Sequence, residues 1–155
     1  MHLKKRYIAE YILIQIKKIM PQLTVTTTIA APLAQVWHCY TAPQHITQWN
    51  YAHPSWHCPT ASNDMRIGGL YSASMQAVDG SSGFVLQATY THIVPLQAFT
   101  YVLADGREVT TTFANTNENT TVTTTFDAET ENTLELQQQG WQMILNNFAA
   151  YVLAQ

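Results

Sequence analysis

The chain has 155 residues, 46% of them apolar and only 11% charged, with a formal net charge of −3. That length supports one domain with a real core, and the shortage of charge leaves Thr, Asn, Gln and Ser to keep the surface wet. No basic cluster lies in the body of the chain, which argues against nucleic acid as a partner. Cys39 and Cys58, without a secretion signal, read as reduced thiols of a cytoplasmic protein.

Residues 1–20 differ from the rest of the chain, because five of the seven Lys and Arg residues fall there. Glu10 and Gln15 interrupt the apolar run and Lys17 and Lys18 come after it, so it reads as neither a signal peptide nor a membrane span. Spacing predicts an amphipathic helix with Ile8, Ile12, Ile16 and Ile19 on one face. This accessory extension is the only part of the chain equipped to touch a membrane surface or to pair with a second copy. The domain proper is expected over residues 21–155.

Leu23 to Ile29 alternates apolar residues with Thr and predicts a strand. Pro32 opens a short helix over Leu33 to Thr41, and Pro43 a second one ending near Trp49. Residues 50–64 read as an irregular stretch of the kind that is often functional. Leu70 to Val78, Phe84 to Val94, Phe99 to Leu103, Glu108 to Ala114 and Thr121 to Phe126 alternate apolar and polar residues and predict five more strands. Asp79-Gly80 and Asp105-Gly106 mark turns between them. Asn132 and Glu135 suggest a capping box for a final helix over about Thr133 to Leu153. There, Trp141, Ile144, Leu145, Phe148, Tyr151 and Val152 share one face, with Gln142, Asn146 and Asn147 opposite. The fold class is α+β: a curved six-stranded antiparallel sheet wrapped around a long C-terminal helix, with two short helices after the first strand. Only the last helix can cover the sheet's apolar side, and the cleft between them is the natural pocket.

Several motifs then carry a resemblance: Val36-Trp37-His38-Cys39-Tyr40-Thr41-Ala42-Pro43, Trp49-Asn50, Trp56-His57-Cys58-Pro59, and Asn63-Asp64-Met65-Arg66-Ile67-Gly68-Gly69. Asp105-Gly106-Arg107, Thr125-Phe126-Asp127-Ala128-Glu129 and Gly140-Trp141-Gln142-Met143-Ile144-Leu145 extend it. Over about Leu23 to Leu153 the chain resembles the START-like (SRPBCC) superfamily. Within it, the chain is similar to single-domain homologues of the C-terminal domain of the activator of heat-shock protein 90 ATPase. The resemblance implies a helix-grip fold and a cleft that binds apolar molecules. It does not imply ATPase activation, since the activator's separate chaperone-binding domain has no counterpart here. Gln76, Val78 and Val85 stand where relatives commonly carry charge.

His53, His57 and Cys58 form the only soft-ligand cluster, and without paired ligand spacing it reads as aromatic packing and not as a zinc site. Cys58 and His57 are adjacent and point apart in an extended chain, so they form no nucleophile–base pair. No residue is therefore assigned a catalytic or metal-binding role, and no cofactor is expected. The residues expected to line the pocket are Trp49, Trp56, His57, Tyr71, Met75, Phe84 and Leu86. Tyr90, Phe99, Tyr101, Val109, Phe113, Trp141 and Leu145 complete the set. The expected function is binding of a hydrophobic or aromatic small molecule. One alternative is a cyclase- or aromatase-like enzyme, with His57 or His92 as base and Tyr71, Tyr90 or Tyr101 as donors. Another, from the family name, is a stress-related domain that associates with a chaperone.

Overall fold

The computed structural model describes residues 2–155, apart from the side chains of residues 16–19. A helix, α1 (His2–Ile19), precedes β1 (Gln22–Ile29), and two short helices come next, α2 (Leu33–Thr41) and α3 (Pro43–Trp49). After them run β2 (Trp56–His57), β3 (Ala61–Asn63), β4 (Leu70–Ala77), β5 (Gly83–Val94), β6 (Ala98–Leu103), β7 (Glu108–Thr116) and β8 (Asn119–Asp127). A long helix, α4 (Leu134–Leu153), closes the chain. Strands β4 to β8 form an antiparallel meander, and β1 pairs with β8, giving the order β1-β8-β7-β6-β5-β4-β2 with β3 also on β4.

The sheet has eight strands where six were expected. The two extra ones, β2 and β3, are two and three residues long, too short to show alternation, and both lie in the stretch read as irregular. They add to the free edge of β4 through Trp56↔Ala77 and Ala61↔Ala73.

Alternation places Val25 and Ile29 of β1, Tyr90 of β5, Phe99 of β6, Val109 and Phe113 of β7, and Val122 and Phe126 of β8 in one core. Leu145, Phe148 and Val152 of α4 meet it from the other side. Ring contacts fix the approach. Phe126 and Trp141 stack with centroids 4.2 Å apart and planes 12° apart, while Phe148 sits 4.9 Å from both Tyr40 and Trp49. On the outer face the shortage of charge is met by threonine hydroxyls paired across β1 and β8: Thr24 with Thr125 at 3.1 Å, Thr26 with Thr123 at 3.1 Å and Thr28 with Thr121 at 2.9 Å.

Three local expectations are corrected. The cap of α4 is Thr133, whose hydroxyl accepts from the Leu136 amide at 3.1 Å; Asn132 lies one residue too early. Asn147, expected opposite the apolar face with Gln142 and Asn146, is half-buried, because the chain after α3 folds over α4 and its Nδ2 donates to the Tyr51 carbonyl at 2.5 Å. Simple alternation from Phe84 would put His92 on the same side of its strand as Tyr90, near the pocket, and it does not lie there. A β-bulge between the Tyr90↔Tyr101 and His92↔Thr100 pairs inserts Thr91, so Ile93 turns to the core and His92 is exposed. Of the four isoleucines expected on one face of α1, Ile8 and Ile12 are exposed, and the side chains of Ile16 and Ile19 lie outside the described residues.

Candidate functional site

Sheet, α3 and α4 do not close completely on one another. Between them lies a cavity of about 190 Å³ with a mouth at Phe84, which is 55% exposed on β5. Ten of the residues expected from sequence line it: Trp49, Tyr71, Met75, Phe84, Leu86, Tyr90, Phe99, Tyr101, Trp141 and Leu145. Strand pleating explains the β-strand members, which alternate along β4, β5 and β6 on the concave side. Tyr101 stacks with Phe99 at 5.8 Å and lies 5.5 Å from Tyr71, so the floor is a continuous aromatic surface.

Four expected residues stand off the cavity. Trp56 and His57 are on β2, which joins the last residues of β4 at Ala77 and Gln76, and neither lines the cavity. Trp56 packs on Phe84 from outside at 6.1 Å. His57 is exposed, with Nδ1 3.1 Å from the Gln76 carbonyl. Val109 and Phe113 do face inward, but they are consumed by core packing, Phe113 against Trp37 at 4.9 Å and Tyr40 at 5.4 Å. There α2 fills the concave side.

Seven lining residues were not foreseen: Val25, Tyr40, Thr41, Asn50, Asn63, Thr124 and Ile144. Asn50 and Asn63 supply the cavity's amides. Asn63 accepts from the Tyr90 hydroxyl at 2.6 Å and donates to the Thr41 carbonyl at 2.7 Å, tying β5, β3 and α2 together at the wall. Asn50 donates to the Tyr71 hydroxyl at 3.4 Å. Both asparagines stand inside quoted motifs, Trp49-Asn50 and Asn63-Asp64, but nothing in their spacing assigns them a direction.

The loop before β4 positions this wall. Gly68 donates to the Tyr90 carbonyl at 2.8 Å and Tyr90 donates to the Gly69 carbonyl at 3.0 Å. Gly68 has φ +84°, a conformation other residues rarely adopt, and a Cβ on Gly69 would overlap the Asp64 carbonyl oxygen. The glycine pair is therefore what lets the backbone press against Tyr90.

Electrostatically the lining is neutral. It contains no Asp, Glu, Lys, Arg or His, and its only titratable groups are the phenols of Tyr40, Tyr71, Tyr90 and Tyr101. Burial pushes all four up from the ordinary phenol value. For Tyr71 and Tyr101 the neighbouring phenols push further in the same direction. Among the described residues the Tyr101 hydroxyl bonds to no other side chain or carbonyl. Since no enclosed side-chain N or O atom is left without a partner, that hydroxyl is not sealed off, and Tyr101 lines the cavity. The two thiols are free and buried, and burial raises both. Among the described residues no group of three His, Cys, Asp or Glu is placed to hold a metal ion.

A curled antiparallel sheet closed around a C-terminal helix, with a cavity between them, defines a helix-grip domain of the START-like class. The chain belongs to the family described as activator of Hsp90 ATPase homolog 1-like protein, whose model matches residues 30–153. The AHSA1-like protein from Aeromonas hydrophila is 38% identical and superimposes with a TM-score of 0.81, over 86% of this chain and 93% of that one. Protein Chr148 from Cytophaga hutchinsonii is also 38% identical, with a TM-score of 0.75 over 86% and 92% of the two chains. Protein CV1439 from Chromobacterium violaceum shares the fold at 20% identity, with a TM-score of 0.75 over 84% and 96%. No curated protein matches the chain.

Proposed function

We propose that the protein binds a neutral, largely apolar small molecule carrying an aromatic ring and at least one hydrogen-bond acceptor, held between β4–β6 and α4. The observation that carries this reading is the cavity's composition: aromatic walls, no charged side chain, and a lining tyrosine, Tyr101, whose hydroxyl is engaged by no other described residue. A charged ligand would lose its hydration there without a counter-charge. A neutral aromatic one exchanges water for ring contacts and finds a donor for its oxygen.

At about 190 Å³ the space is below the roughly 300–1,000 Å³ usual for drug-sized ligands. It is comparable to the roughly 150 Å³ apolar cavity that accepts a benzene ring in an engineered protein. A larger ligand would extend through the mouth past Phe84. The cyclase-like alternative loses its support, because both candidate bases, His57 and His92, are exposed and outside the lining.

The test is a thermal-unfolding series with three probes of one shape, 2-naphthol, naphthalene and 2-naphthoate. Stabilisation by 2-naphthol above naphthalene, with none from 2-naphthoate, is expected. Equal or greater stabilisation by the carboxylate would refute the neutral-site reading.

A further inference from the structure

The cavity leaves α1 unexplained, and α1 has its own chemistry. Every side chain from His2 to Ile14 is exposed, including Leu3, Tyr7, Ile8, Tyr11, Ile12, Leu13 and Ile14, each at least half accessible. Exposed apolar residues scattered singly need no explanation, but seven on one uncovered helix, six of them on one side, mark an interaction surface. Helical spacing puts Leu3, Tyr7, Tyr11 and Ile14 in one stripe, with Ile8 and Ile12 beside it, Lys4 between the two groups and Leu13 on the other side.

Charge says what covers that stripe. Residues 1–20 hold five Lys and Arg and one acid, whereas residues 21–155 hold two and nine. Lys4, Lys5 and Arg6 stand at one end of the apolar middle and, in sequence, Lys17 and Lys18 at the other. The one acid, Glu10, is offset by Arg6 at 3.4 Å, one turn away. The acidic domain leaves this oppositely charged helix uncovered, and pairing it with the α1 of a second copy would bring like charges together. Among the described residues no helix is long and apolar enough to cross a membrane. An apolar stripe with aromatic residues and basic ends instead suits a helix lying in the interface of a bilayer, with tyrosines at headgroup depth and lysines reaching up to the phosphates.

We propose that α1 is an interfacial anchor that holds the domain on anionic lipid surfaces. The full chain is sedimented with vesicles of phosphatidylcholine alone and of phosphatidylcholine mixed equally with phosphatidylglycerol. Binding to the mixed vesicles only is expected, weakened by added salt. Two variants accompany it, Lys4→Gln with Lys5→Gln and Ile8→Ser with Ile12→Ser. Each should lower the affinity more than about tenfold while the domain's unfolding temperature stays unchanged, since these side chains are exposed. Retention in the supernatant with anionic vesicles would overturn the proposal. So would equal binding to both vesicle types, or a solution dimer that the Ile8→Ser, Ile12→Ser variant dissociates without any vesicle binding.

Discussion

Tyr101 and its phenol neighbours concentrate most of the cavity's chemistry in a few atoms. The Tyr90 hydroxyl donates to Asn63 at 2.6 Å and is occupied in holding the wall, whereas the Tyr101 hydroxyl is free to meet a ligand. Tyr101→Phe should therefore lower 2-naphthol affinity by about 1 kcal/mol, the net worth of one neutral hydrogen bond. Calorimetric titration would measure this, with the unfolding temperature nearly unchanged. Burial raises the phenols of Tyr40, Tyr71, Tyr90 and Tyr101 in the folded state, so the native protein keeps protons that the unfolded chain releases near pH 10. The sign is fixed by linkage: stability is fully present below about pH 10 and is lost as pH climbs beyond it, at up to about 1.4 kcal/mol per pH unit for each phenol. Urea midpoints measured from pH 8 to 11, with phenolate absorbance as a second readout, should show ionisation arriving together with unfolding. A native protein that ionises these four phenols near pH 10 without unfolding would contradict their burial.

Among the elements, short pieces determine the site as much as long ones. The strands of the meander and α4 were legible because alternation and three-and-four spacing run for many residues. β2 and β3 were not, since elements of two and three residues carry no period. The bulge at Thr91 likewise has no signature in composition, and it alone reverses the expectation for His92. Ten lining residues followed from strand and helix faces, while Asn50 and Asn63 owe their positions to a loop and an edge strand that pairing to β4 sets in place. Gly68 and Gly69 are the sequence's clearest mark of that arrangement. Gly69→Ala should destabilise the protein by about 1–3 kcal/mol, the usual range for forcing extra volume into a packed place, because the added methyl meets the Asp64 and Arg66 carbonyls, both backbone atoms. Chemical denaturation would measure this. The same variant should weaken 2-naphthol binding, since the displaced loop carries Asn63 next to Tyr90.

For the molecule as a whole, an aromatic-rich interior serves two ends. Trp141 locks α4 onto the sheet at Phe126 and Phe148 locks it onto α2 and α3, through ring contacts between 4.2 and 4.9 Å, and the same packing stops short of Tyr71 and Tyr101, leaving the cavity. The family match over residues 30–153 runs from α2 through β8 to α4, and both α1 and β1 precede it. The account rests on that cavity being where the protein meets its ligand. Its most direct test is an amide and aromatic NMR titration of the full chain with 2-naphthol. Saturable shifts centred on Tyr71, Tyr101, Trp141 and Leu145, abolished when Leu145→Trp fills the space, are predicted. Saturable binding mapped to the outer threonine face, or unaltered by filling the cavity, would contradict it.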